Sequence, residues 1–136
     1  MLNYDGIEKT TLTAPKQILA NVQLQESVGC IVPQTLGVAV GSKKIAKAGT
    51  PINIDFTNLQ TVAKKPASTG GGSGTSAIPM NAVLLHDVDV TSGSKNGTAL
   101  IFGFVNLNRV DSDVATAITT AKGYGTPSPM LTFMKA

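Results

Sequence analysis

This sequence predicts a mainly β (α+β) domain: a small β-sandwich or barrel-like unit with one short α-helix and an extended N-terminal arm. Three observations lead there. Residues 82–107, AVLLHDVDVTSGSKNGTALIFGFVNL, read as two apolar strands joined by a polar loop, with a helix signal directly after them. The chain carries 14 glycines and 7 prolines but only 14% charged residues, against roughly 25% in ordinary domains. That balance suits a turn-rich β protein, or one whose surface is partly covered by partners. A length of 136 residues allows one domain with a real core and is too short for two.

The arm spans 1–27 and the β-rich domain 28–136. In the arm, Leu2, Ile7, Leu12, Ile18, Leu19, Val22 and Leu24 are separated by polar residues without a sustained period of two or 3.6, and Pro15 interrupts any helix. Such a segment is a flexible arm or an extended strand that orders against a partner. Next, VGCIV and TLGVAV are short strand-prone runs separated by Pro33. Turn chemistry recurs at Gly41-Ser42 and Ala48-Gly49, and Pro51 opens another extended piece. Lys43, Lys44 and Lys47 then form a solvated hairpin face. Residues 57–79 are a loop by composition. Their TGGGSGTS stretch, 69–76, invites comparison with phosphate-binding loops, but no lysine follows its last glycine and it precedes a strand rather than a helix.

From 82 to 90 a single strand is expected, with Leu84, His86, Val88 and Val90 on one face and Val83, Leu85, Asp87 and Asp89 on the other. Asn96-Gly97-Thr98 matches a glycosylation sequon and reads better as the turn of the hairpin. The returning strand, 99–107, is apolar on both faces, which marks a central strand or one that meets a subunit neighbour. Gly103, between Phe102 and Phe104, suggests a bulge or close backbone packing. The helix is expected over 109–123, with Asp111 as N-cap, Asp113 in the first turn, and Lys122-Gly123 at the end. Val110, Val114, Ala117, Ile118 and Ala121 make its apolar stripe. MLTF, 130–133, closes the chain as a last strand.

Candidate chemistry is sparse. His86-Asp87-Val88-Asp89 is the one cluster resembling a site. On a continuous strand its two carboxylates share a face roughly 7 Å apart, while His86 points the other way, so the three do not converge on a metal. Calcium takes roughly six to eight oxygens, and two carboxylates fall short. The plainer reading has Asp87 and Asp89 solvated or paired with lysines, and His86 as a hydrogen-bonded interior or interface residue. Cys30 has no partner for an internal disulfide and nothing adjacent to lower its pKa, so it reads as a small packed residue. No nucleophile sits beside a base in a recognisable motif. No catalytic residue, cofactor or metal is therefore expected. The net charge of +3 comes from scattered lysines with Arg109 as the sole arginine and no tryptophan, a poor set for reading nucleic acid. No secretory leader is visible, and no apolar run approaches the ~20 residues that span a bilayer. Folding in a reducing cytoplasm, without membrane partners, is expected.

The order KKIAKAGTPI (43–52), a variable loop, AVLLHDVDVTSGSKNGTALIFGFVNLNRV (82–110), a short helix and a terminal MLTF strand resembles the lambda-type head decoration proteins of tailed bacteriophages. The resemblance lies in an "AGT" turn, here Ala48-Gly49-Thr50, a strand ending in a "DVD"-like segment, Asp87-Val88-Asp89, and an apolar "G-x-V-N"-like strand, Gly103-Phe104-Val105-Asn106. It covers about residues 36–120. The resemblance implies a non-enzymatic structural virion protein on the outer capsid surface, commonly a homotrimer, that binds the major capsid protein of the mature shell and cements it. Within that frame Leu2, Tyr4, Ile7 and Leu12 of the arm are the candidate capsid-binding side chains, laid as an extended segment on a capsid sheet edge. A virion-surface receptor- or glycan-binding module is the alternative, marked by an exposed aromatic platform. A small trimeric β enzyme acting on nucleotides is the third reading.

Overall fold

The computed structural model describes residues 17–21, 23–68, 77–125, 127 and 130–135. Among the described residues, eight strands, one 3-10 turn (Gln34–Leu36) and one α-helix follow in this order: β1 Glu26–Val32, the 3-10 turn, β2 Val38–Val40, β3 Lys43–Ala46, β4 Pro51–Ile52, β5 Ala82–Leu84, β6 Val88–Asp89, β7 Lys95–Asn106, α1 Ser112–Ala121 and β8 Leu131–Met134. The larger sheet has the order β1-β7-β5-β4 with β8 added to β7, and the smaller has the order β2-β3-β6. The pairings between these strands are antiparallel except β7 with β8. The chain is thus mainly β with one short helix, as its sequence predicts.

β7 organises the molecule because it is paired on both edges over most of its length. Its first half lies against β1 (Val32↔Lys95 to Glu26↔Phe102) and against β5 (Val83↔Leu100, Leu84↔Ala99). Its second half runs parallel to β8, where the Gly103 and Leu107 N–H groups donate to the carbonyls of Met130 and Met134. On the opposite edge the Asn106 N–H donates to the Ile18 carbonyl, and the Ala20 N–H to that of Phe104, both at 2.8 Å.

From Ala99 to Val105 β7 lies inside the sheet with both faces largely covered, and that explains the unbroken apolar run there, after the polar start Lys95-Asn96-Gly97-Thr98. Leu100 and Val105 enter one core with Val83, Ile18, Leu19, Leu131 and the helix residues Val114 and Ile118. Ala99, Ala82 and Leu84 enter a second core with Val32, Ile52, Ala46 and Val90, between the two sheets. The register skips Ile101 between the pairs Glu26↔Phe102 and Ser27↔Leu100, which places a bulge beside Gly103. Gly103 is itself buried at φ 153°, with the Leu24 carbonyl 3.4 Å from where a Cβ would stand.

Several sequence expectations need correction. The expected strand over 82–90 is two strands in different sheets, broken at Leu85-His86-Asp87. Ala82, Val83, Leu84 and Leu85 are all buried because β5 lies between the two cores, so the acidic end belongs to another element. Asn96-Gly97-Thr98 is not the hairpin turn. It lies within β7 opposite Ile31, Cys30 and Gly29, and the chain reverses at 91–94 instead. Gly97 serves contact between the sheets, since a Cβ there would stand 2.8 Å from Val32 Cγ2 and 3.1 Å from Val88 Cγ2.

Ile18 and Leu19, assigned to the arm, are 0% and 2% exposed core residues, so the packed domain starts before residue 28. The loop after residue 57 is tied down. Ala63 N–H donates to Ile31 O at 3.0 Å, and Asn53 and Lys64 exchange backbone bonds of 2.9 and 2.8 Å. The 62–64 segment thereby joins the outer edges of β1 and the β4 end, a barrel-like closure with Ala63 buried inside. The stretch 69–76 lies outside the described residues.

The helix begins at Ser112, three residues later than the sequence suggests, with Asp111 at the N-cap position. Val114, Ile118 and Ala121 are buried and Val110 packs just before the cap, whereas Ala117, expected in the stripe, is exposed. Its place on the helix faces a surface groove.

Candidate functional site

The AGT turn, 48–50, is where the two sheets and the helix are fastened together. Gly49 adopts φ +91°, and its missing side chain leaves room for Val110, just before the helix, and Val114 within it. The Gly49 N–H donates to Leu84 O at 2.6 Å, and Leu84 N–H returns a bond of 3.0 Å to Thr50 O. The Ala48 N–H donates to Asp87 Oδ1 at 2.7 Å. Just before the turn, Lys47 Nζ lies 3.1 Å from Asp111 Oδ2 and 3.2 Å from Asp113 Oδ2, holding the first turn of α1 to the end of β3. Hydrogen bonds to Asp111 and then Asp113 raise the lysine pKa above its ordinary value.

The sign of that shift sets a testable pH dependence. A raised folded-state pKa contributes stability that is complete below the ordinary lysine value of 10.5 and is lost as pH rises through the folded value. Lys47→Met keeps most of the stem and removes the charge. The stability gap between wild type and this variant, about 0.5–1 kcal/mol for a partly exposed network at neutral pH, should shrink in denaturant titrations above pH 10.5. A constant gap across that range would assign Lys47 a packing role alone.

The His86-Asp87-Val88-Asp89 cluster disperses. Asp87 is spent on the Ala48 N–H. Asp89 accepts from the Thr91 hydroxyl at 2.6 Å and the Thr91 N–H at 3.0 Å, bonds that lower its pKa. His86 is exposed, not an interior residue, because the break after β5 turns it outward. Among the described residues no three His, Cys, Asp or Glu side chains gather as a metal site. Cys30 is buried, and burial raises its thiol pKa, which keeps it in the unreactive protonated form. Lys43 and Lys44 are exposed on β3, as expected of a solvated hairpin, while Lys47 is engaged by the helix.

The sequence did not show where the surface is apolar. Val38 and Val40 of β2 are 41% and 47% exposed. Phe56, at 57%, stands out from a loop fixed by its own hydrogen bonds: Asp55 accepts from the Thr57 N–H and hydroxyl, and Asn58 from the Gln60 N–H. Leu59 and Val62 follow it on the same loop. Leu24, Met130 and Met134 are exposed around the distal half of β7. A groove of about 140 Å³ lies between the 3-10 turn, β2 and the helix, lined by Leu36, Val38, Lys65, Val114 and Ala117 with the Lys47–Asp113 pair at its rim. Leu2, Tyr4, Ile7 and Leu12 lie outside the described residues.

No protein-family model, curated protein or solved structure matches this chain. No helix among the described residues is long and apolar enough to cross a membrane.

Proposed function

We propose that this chain is a structural virion protein that binds the exterior of a mature bacteriophage capsid, as a homotrimer on the major capsid protein, and reinforces the shell. The observation that carries the reading is how the resembling motifs are used. Ala48 of the AGT segment bonds directly to Asp87 of the DVD segment, and Gly103 sits where β7 meets β8 and Leu24. All three are spent on joining elements, so the pattern that resembles decoration proteins is a scaffold signature, suited to a protein whose work is attachment. Exposed apolar groups at β2, at Phe56 and beside β8 supply surface for neighbouring subunits.

The energetics are those of a ligand that selects one state. A protein that binds only the mature lattice stabilises it by RT ln(1 + [L]/Kd), about 2.7 kcal/mol per site at a hundredfold excess over Kd. A trimer holding several shell subunits gains further through effective concentration. The glycan-binding alternative needs an aromatic platform, and among the described residues Phe56 is the only exposed aromatic. Imaging purified heads with and without the protein tests the proposal. Knobs at local three-fold points, present only with the protein, are the expected result; bare heads at saturating protein would end this reading.

A further inference from the structure

β2 is an outer strand of the small sheet, and among the described residues nothing pairs with its far edge. The backbone direction there can be read from its neighbour. Lys44 turns its carbonyl to the Val90 N–H (2.9 Å) and its N–H to the Thr91 hydroxyl (2.8 Å), both on the β6 side. Ala39, directly opposite Lys44, therefore belongs to a pair that exchanges no backbone bonds and turns its own N–H and C=O outward.

Free edges of this kind are normally guarded by charge, proline or a bulge. This one is Val38-Ala39-Val40, exposed throughout. Beside it lies the groove, with Leu36 and Val114 only 5% and 4% exposed at its base. Its volume, about 140 Å³, suits one aliphatic side chain, since an apolar cavity of roughly 150 Å³ holds a benzene-sized group. The charges around it are cationic. Lys65 lines the groove and Lys43 and Lys44 occupy the adjoining strand, all exposed, while the groove's one carboxylate, Asp113, is held by Lys47.

We propose that β2 receives an extended, acidic segment of the shell protein as an added strand, with one aliphatic side chain in the Leu36–Val114 groove and carboxylates facing Lys44 and Lys65. The inference rests on the decoration reading and adds a second contact, independent of the arm, in which the shell donates the strand.

Undecorated expanded shells are the probe, with full-length protein and three variants. Ala39→Pro removes the outward N–H without breaking a sheet bond, Val38→Asp places a like charge at the groove mouth, and Lys65→Glu reverses the complementary cation. Each should keep its thermal midpoint and bind shells at least tenfold more weakly, and the Ala39 amide of wild type should exchange at least tenfold more slowly on shells than free. If Ala39→Pro does not fold, the other two variants carry the test. Wild-type binding matched by all three variants would overturn the added strand and leave the decoration reading standing, whereas no wild-type binding would remove both. An Ala39 amide already protected in the free protein, and released by deleting residues 1–14, would make the chain's own N-terminus the occupant and overturn the proposal.

Discussion

Gly49→Ala should cost roughly 2–5 kcal/mol of folding stability, the sum of two penalties that other glycines in this chain separate. The first is conformational: a non-glycine residue at positive φ costs roughly 1–2 kcal/mol. The second is steric, because a Cβ at Gly49 would stand 2.7 Å from Val110 Cγ1 and 3.1 Å from Val114 Cγ1. Both are stiff β-branched side chains already buried against the turn. Overpacking of this kind costs about 1–3 kcal/mol.

Gly41 has the strain without the clash, at φ +63° and nothing within 4 Å. Gly97 has the clash without positive φ. Gly29 has neither, with nothing within 4 Å of a Cβ. Denaturant midpoints of the four alanine variants should therefore fall in the order Gly29, Gly41, Gly97, Gly49, with Gly29→Ala close to wild type. Total stabilities of small domains are about 5–15 kcal/mol, so Gly49→Val should leave little folded protein. A Gly49→Ala variant no worse than Gly41→Ala would show that the helix does not bear on the AGT turn.

The same contrast explains what could be read from the sequence. The part of β7 that is covered on both faces, Ala99 to Val105, has to be apolar, so that part announced itself, whereas its polar start at Lys95-Asn96-Gly97-Thr98 read as loop and turn. The helix did likewise through Val114, Ile118 and Ala121 at helical spacing, and MLTF through its length and flanking prolines. What the sequence could not carry was which strands share a sheet. Residues 82–90 have one continuous apolar pattern, yet Leu85-His86-Asp87 carry the chain from one sheet to the other, because local alternation does not encode a change of partner. Ile18 and Leu19 were missed for a related reason. A two-residue bridge onto β7 needs no periodic pattern, only two apolar side chains at the right place in the core. The exposure of Val38 and Val40 was equally invisible, since an edge strand differs from an inner one by its neighbours and not by its own residues. The carboxylates of the DVD segment looked like a site because strand alternation puts them side by side. The break after β5 is what gives one to Ala48 and the other to Thr91.

The start of the packed domain also fixes where truncation separates attachment from folding. Removing residues 1–14 leaves Ile18 and Leu19, which are 0% and 2% exposed, so the thermal midpoint should stay within a few degrees of wild type. Removing residues 1–20 deletes both side chains and the backbone bonds from Asn106 to Ile18 and from Ala20 to Phe104. Losing a buried Leu or Ile side chain costs about 2–5 kcal/mol each, enough to unfold a marginal domain. Attachment should already fall with the shorter deletion, before stability does. If the protein is the proposed trimer and Leu2, Tyr4, Ile7 and Leu12 engage the shell, a net gain of only about 1.4 kcal/mol per arm is about tenfold in Kd, and three arms on one trimer multiply to about a thousandfold. The 1–14 deletion should then remain folded and trimeric by mass while its retention on shells falls by about that factor, and polar substitution of the four side chains should reproduce the loss. Full retention by the truncated protein would move the whole attachment energy onto the folded domain, where the β2 edge and the Phe56 loop present apolar surface.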